Sequence, residues 1–137
     1  MSKTTWLPPV SESVKVRMLA FMANIEVLLE ERINSHFVHG VTCRSITGDS
    51  ASRIISLAHG LGIINDKLYG NLKWINKRRN EVAHNKPVEF DLKDFPRLHS
   101  MLPNDKVREL EQRHGTREGH YIALLDALED SFTRGIN

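Results

Sequence analysis

The chain lacks the features that mark several common protein classes. Its 137 residues include a single cysteine, Cys43, so no disulfide can form within the chain. No apolar run approaches the roughly 18 residues that a membrane-spanning helix needs. The opening residues lead into Pro8 and Pro9 without the apolar stretch of a secretory signal. We therefore expect a cytoplasmic protein that does not enter a membrane.

The patterns of β-strands and of glycine-rich phosphate loops are also missing from the sequence. Hydrophobic residues make up 40% of the chain and charged residues 26%, a balance typical of a folded globular protein rather than a disordered one. The length suits one domain. Because Pro8 and Pro9 disfavour a helix at the start, we predict a flexible arm over residues 1–10 and a single helical domain over residues 11–137.

Apolar residues recur at spacings of three and four through most of the chain, which is typical of amphipathic helices. The first predicted helix covers roughly residues 12–38, and a loop is expected over residues 40–48. A second helix is predicted to start with Asp49 as its N-cap, because aspartate accepts hydrogen bonds from a helix start. Its stop signal is the run Gly60-Leu61-Gly62.

Further helices follow in the second half of the chain. Asn65 or Asp66 caps the third predicted helix, and Pro87 closes it. We expect irregular backbone over residues 87–103, which contain three prolines, and a short helix from Asn104. A last helix has one apolar stripe, formed by Tyr121, Leu124, Leu125, Leu128 and Phe132. The pattern predicts an all-α, up-and-down bundle of four main helices plus one short extra helix.

Basic residues are concentrated in one segment, residues 67–86. It holds six positive side chains against the single acid Glu81, a net charge of +5, whereas the rest of the chain carries −3. The positive residues are Lys67, Lys73, Lys77, Arg78, Arg79 and Lys86. Such a cluster is typical of a surface that binds a polyanion. A solvated helix face is the alternative interpretation.

Arg79 stands in line with the apolar positions of the third predicted helix. It follows Ile75 by four residues and precedes Val82 by three. A guanidinium keeps its charge at all physiological pH values, so its burial is costly unless it finds a partner. Arg79 must therefore reach solvent, form a structural ion pair with a carboxylate, or bind an anion.

A polar row lies beside this apolar stripe. Asn80 and His84 are four residues apart and about 40° apart around an ideal helix, and Asn76 continues the row. Arg79 and His84, about 140° apart, do not share a face. Trp74 lies next to the row, where it would either stack on a nucleic-acid base or pack in the core or a dimer seam.

The stretch Arg79-Asn80-Glu81-Val82-Ala83-His84 resembles the motif of the HEPN superfamily, in which an arginine and a polar residue precede a histidine. Asn80, the basic surroundings and the upstream turn Leu61-Gly62-Ile63-Ile64 distinguish it from other arginine–histidine pairs in the chain. Segment 48–64 is similar to the mannitol-repressor-like branch, where an aromatic residue often stands in place of Val82. The resemblance covers about residues 48–86 and implies a HEPN-like helical bundle.

The resemblance implies RNA as the substrate and no metal or other cofactor. HEPN domains that act on nucleic acid are metal-independent endoribonucleases: the 2′-hydroxyl attacks the adjacent phosphate, leaving a 2′,3′-cyclic phosphate and a 5′-hydroxyl. Arginine suits the charge on the phosphorane and histidine suits the proton transfers. The implied catalytic residues are Arg79, Asn80 and His84. The implied substrate-binding residues are Lys73, Trp74, Lys77, Arg78 and Lys86.

One histidine cannot serve as both base and acid in a single step, so a homodimer that brings two His84 side chains into a composite cleft is expected. A toxin or phage-defence role, with a cognate antitoxin or regulatory protein as partner, is compatible with this hypothesis. Two alternatives stay open. One is a non-catalytic regulatory or protein-interaction module that resembles the mannitol-repressor group, and the other is a plain interaction domain in which Arg79 is a structural ion pair.

Overall fold

The computed structural model describes residues 12–83, 91–113 and 116–137, and these residues form seven α-helices without any strand. The all-α prediction is confirmed. The predicted arm over residues 1–10 lies outside the described residues. The helices are α1 (Glu12–Asn34), α2 (Cys43–Thr47), α3 (Ala51–Gly60), α4 (Asp66–Ala83), α5 (Asp91–His99), α6 (Asn104–Arg113) and α7 (Arg117–Gly135).

Helix α1 runs through the centre of the packing and contacts α3, α4 and α7. Its apolar face is buried, and Phe21 meets Phe132 of α7 edge to face, with ring centroids 5.7 Å apart. The stripe of α7 is buried as predicted, and that helix ends at Gly135. Helices α5 and α6 pack on α7, and α2 packs on α1 and α3. None of the described helices is long and apolar enough to cross a membrane.

The predicted end of the first helix and the predicted loop after it are wrong. Helix α1 ends at Asn34 rather than near residue 38, because the Asn34 side chain accepts a hydrogen bond from the Cys43 backbone, 2.6 Å away. Helix α2 then forms inside the predicted loop over 40–48. The Thr42 side chain accepts a hydrogen bond from the Ser45 backbone, and the Ser45 side chain accepts one from the Thr42 backbone. This reciprocal pair is a capping box, a local helix-start signal that the loop prediction did not include.

Most boundaries of α3 and α4 follow the sequence signals. The N-cap of α3 is Ser50 and not the predicted Asp49, since the Ser50 hydroxyl accepts from the Arg53 backbone at 3.2 Å. The helix ends at Gly60, and Gly62 adopts the left-handed conformation at φ 77°, as the predicted stop requires. Asn65 caps α4 by accepting from Leu68, as predicted. Pro87, the predicted end of that helix, lies outside the described residues.

The prediction of irregular backbone over residues 87–103 is wrong for the described part, residues 91–103, because α5 forms there. Pro96 lies inside this helix although proline removes one backbone donor. Burial of Leu98 and the pairing of Asp94 with Arg78 offset that loss. The short helix predicted from Asn104 is confirmed as α6, and its apolar residues Val107 and Leu110 are buried.

Candidate functional site

A groove lined mostly by polar and charged residues runs between α3 and α4, and we call it the α3–α4 groove. Its volume is about 420 Å³. The lining residues are Ser52 and Ile55 of α3 and Lys73, Asn76, Lys77, Asn80 and Glu81 of α4. Three residues predicted for the site, Lys73, Lys77 and Asn80, therefore lie together on one surface. The two exposed ammonium groups outnumber the one carboxylate, so the groove favours an anionic ligand.

The groove face of α4 follows from the helical repeat. Lys73, Asn76, Lys77 and Asn80 are spaced by three and four residues, so they lie on one side of the helix. Leu72, Ile75 and Val82 point into the core on another side and fix the orientation of the helix. The sequence therefore determines which α4 residues share this face, and packing against α3 supplies the second wall.

Arg79 is not one of the lining residues of the groove, but it is joined to the groove by Asn76. The Arg79 Nη2 donates to Asn76 Oδ1 at 2.6 Å, and Asn76 is itself buried although it borders the groove. Among the described residues, the guanidinium forms no salt bridge, and its buried Nε has no hydrogen-bond partner. Arg79 is therefore a half-buried cation whose donors are incompletely used.

Glu26 of α1 is the acidic group that interacts electrostatically with Arg79. Burial raises the pKa of Glu26 above its ordinary value; the positive charge of Arg79 lowers it and the negative charge of Glu30 raises it. Sequence reasoning missed Glu26. It follows Met22 by four residues and precedes Leu29 by three, so it interrupts an apolar stripe as Arg79 does. That spacing was the available signal.

Arg78 takes a different position from its neighbour, on the side of α4 that faces α5. Its guanidinium contacts Glu81 at 3.0 Å and Asp94 at 3.1 Å, and the Tyr121 hydroxyl also donates to Asp94. Only 14% of the Arg78 side chain and 5% of the Asp94 side chain are exposed. The structural ion pair weighed for Arg79 is therefore found at Arg78, which does not itself line the groove although its partner Glu81 does.

Trp74 also lies outside the groove. It is half-buried and packs against the hydrophobic core, which is the alternative to base stacking that its position left open. The Arg97 guanidinium carbon lies 5.9 Å from the centroid of the Trp74 ring, a cation–π arrangement between α5 and α4. The indole therefore has a structural role between these helices.

His84 and Lys86, the remaining predicted site residues, lie outside the described residues. In the sequence His84 follows Ala83, the last described residue of α4, and comes four residues after Asn80. Of the predicted catalytic set, the structure thus describes Arg79 and Asn80. Both lie one helical turn after Asn76: Arg79 is hydrogen-bonded to the Asn76 side chain, and Asn80 lines the groove together with Asn76.

Comparison with protein-family models, with curated proteins and with solved structures finds no match to this chain. The resemblance to the HEPN superfamily therefore depends on the motif and its spacing, and function must be argued from the α3–α4 groove itself.

Proposed function

We propose that this protein is a HEPN-type RNA-binding protein and a metal-independent endoribonuclease. The observation that carries the proposal is the α3–α4 groove, where Lys73, Lys77 and Asn80 surround a buried asparagine that holds an incompletely partnered arginine. Lysine ammonium groups bind phosphate without reading sequence, and a guanidinium binds two phosphate oxygens at once. An RNA backbone carries phosphate groups at regular intervals, so successive phosphates can meet these side chains along the groove.

The proposed reaction assigns one task to each residue. The 2′-hydroxyl oxygen attacks the adjacent phosphorus while a base removes its proton, and the bond from phosphorus to the 5′-oxygen breaks as an acid protonates that oxygen. His84 performs proton transfer, because imidazole titrates near neutrality. Arg79, whose guanidinium is hydrogen-bonded to the groove residue Asn76, stabilises the charge on the phosphorane, and Asn80 donates a hydrogen bond to phosphate. The products are a 2′,3′-cyclic phosphate and a 5′-hydroxyl.

A homodimer completes this scheme. A single imidazole cannot accept one proton and donate another at the same instant, so a second copy of the chain supplies the second His84. A two-fold axis would present both basic α4 helices to the same RNA strand. The composite cleft is the part of the proposal that a single chain cannot provide.

The first test is RNA cleavage in the presence of EDTA. We expect the wild-type protein to cleave single-stranded RNA and to leave 2′,3′-cyclic phosphate ends, and we expect His84→Ala to abolish cleavage without loss of helical signal. The matched control is His36→Ala, since His36 is exposed after α1 and its Nδ1 lies 2.9 Å from the Arg32 carbonyl. Equal cleavage by wild type and His84→Ala would remove the catalytic assignment.

The second test is the oligomeric state. Light scattering at micromolar protein should give twice the chain mass of 15.7 kDa. If wild-type protein cleaves RNA yet scatters as a monomer at all concentrations, the paired-histidine scheme is wrong and one chain must supply both acid and base.

A non-catalytic regulatory or protein-interaction module is the second candidate. The observation in its favour is that Asn76 and Glu26 already interact with Arg79, so a structural role accounts for part of that side chain's surroundings. This candidate predicts RNA binding without cleavage, or no RNA binding at all, in the same EDTA assay. A cleavage product with a cyclic phosphate end would decide against it.

A further inference from the structure

Two side chains of α3 and α4 form an aromatic stack near the start of α4. The rings of His59 in α3 and Tyr69 in α4 are parallel within 7°, with centroids 4.1 Å apart. His59 Nε2 lies 2.7 Å from an Asp66 carboxylate oxygen, and this contact holds the imidazole in the stacking orientation. One third of the His59 side chain is exposed. The stack is therefore preorganised, and its His59 ring is partly accessible at the protein surface.

Lys73 connects this stack to the α3–α4 groove. Its ammonium nitrogen lies 5.2 Å from the centroid of the Tyr69 ring, and the same side chain borders the groove. Tyr69, Lys73 and Lys77 are spaced by four residues and form one row along α4. At 1.5 Å per residue the row from Tyr69 to Asn80 is about 16 Å long. A ring stack, two ammonium groups and an amide thus follow one another along the helix.

The Tyr69 hydroxyl lies among polar groups rather than in the core. A hydrogen bond with Ser56 lowers the pKa of Tyr69, and the adjacent Lys73 lowers it further. Ser52, Ser56 and His59 are spaced by four and three residues along α3, so the opposing wall is also polar on this side. The surface around the stack suits a ligand with both a flat apolar face and a charged backbone.

We infer that the His59–Tyr69 stack is a base-binding subsite for single-stranded RNA, with Lys73 holding the adjoining phosphate. This inference rests on the proposed function and names where its substrate binds. Bases of a single strand can be splayed out and stacked on aromatic side chains, whereas the faces of bases in a duplex are covered by their neighbours. Tyr69 and Trp74 are both partly buried and pack against the core, but Trp74 lies outside the groove, whereas the Tyr69 ring is in contact with the groove residue Lys73.

The test measures binding separately from cleavage. The probe is a short fluorescent oligoadenylate whose 2′-hydroxyls are methylated, so that it cannot be cleaved by 2′-hydroxyl attack, and the readout is fluorescence anisotropy. Tyr69→Ala should weaken binding roughly 5- to 150-fold, the range found when one stacking residue is removed. Tyr69→Phe should bind within about twofold of wild type, because the ring rather than the hydroxyl stacks.

A backbone of the same length without bases is the matched control probe. Wild type and Tyr69→Ala should bind it equally, and the dependence of affinity on salt should be unchanged by Tyr69→Ala but shallower for Lys73→Ala. His59→Ala, which leaves Tyr69 in place, should reproduce part of the loss if Tyr69→Ala proves unfolded by circular dichroism. If folded Tyr69→Ala binds oligoadenylate as tightly as wild type, or if Tyr69→Phe loses as much affinity as Tyr69→Ala, the base-binding subsite is wrong but the proposed function is unaffected. If wild-type protein binds neither probe, the proposed function is wrong as well.

Discussion

Replacing Arg79 with alanine should lower the rate of RNA cleavage roughly 100- to 1,000-fold, the loss typical when one preorganised donor to a transition state is removed. The physical reason is that its guanidinium, held by Asn76, is a cation at the groove with unused donors. The free energy of unfolding should fall by only about 1–2 kcal/mol, because one described hydrogen bond is lost and the Asn76 oxygen loses its donor. Cleavage in EDTA and urea denaturation measure the two effects.

The matched control removes the same charge elsewhere. Arg97 is exposed on α5 and lies over the Trp74 ring, so Arg97→Ala should cleave RNA at the wild-type rate. Arg79→Lys should recover only part of the activity, because lysine keeps the charge but cannot bind two phosphate oxygens in a fixed fork. Equal rates for wild type and Arg79→Ala would show that this residue has no catalytic role, and equal losses at Arg79 and Arg97 would indicate a general charge effect.

Replacing Asp94 with alanine should produce the largest loss of stability, about 3–5 kcal/mol, without a direct effect on the groove. Asp94 is buried and accepts from both Arg78 and Tyr121, so its removal leaves a mostly buried guanidinium with Glu81 as its remaining described carboxylate. For a domain of this size the melting temperature should fall by about 10 °C or more. Asp130→Ala, which breaks the exposed pair with Arg134, should change stability by less than about 1 kcal/mol.

The pH dependence of stability distinguishes the contribution of the Asp94 charge from the contribution of its packing. Burial raises the pKa of Asp94, although Arg78 and the Tyr121 hydroxyl act in the opposite direction. Because this carboxyl has a higher pKa in the folded chain, its contribution to stability is complete below the unfolded pKa near 3.8 and is lost as pH rises through the folded pKa. The stability of wild type relative to Asp94→Asn should therefore decrease across that window. An increase would contradict the direction of the shift.

The helices that could be predicted are those whose signals are local and agree with one another. The stop at Gly62 and the Asn65 cap follow from single-residue chemistry, and the structure has both. Helix α5 could not be predicted, because Pro96 indicates a break while burial of Leu98 and the pairing of Asp94 with Arg78 favour the helix. Those contacts join residues far apart in the sequence, and no local pattern contains them.

Arg78 and Arg79 show the same difference between what local sequence signals predict and what contacts between helices decide. Spacing along α4 indicated that Arg79 interrupts the apolar stripe, and the structure has it half-buried with incompletely used donors. Nothing in the spacing indicated that Arg78 would meet Asp94, a residue 16 positions away on another helix. A pattern within one helix identifies which residues share a face, but the partner of a charged side chain depends on which helix packs against that face.

The amino-acid sequence by itself determined that the chain is helical, which residues of α4 share the polar face and where its positive charge is concentrated, because helical periodicity and charge are properties of neighbouring residues. Only the tertiary structure decided that α3 supplies the other wall of the groove and that Arg78 rather than Arg79 pairs with the buried Asp94. It also decided that His59 stacks on Tyr69 and that Trp74 packs against the core outside the groove. These outcomes depend on distances between separate helices, which are set by the packing of the whole core.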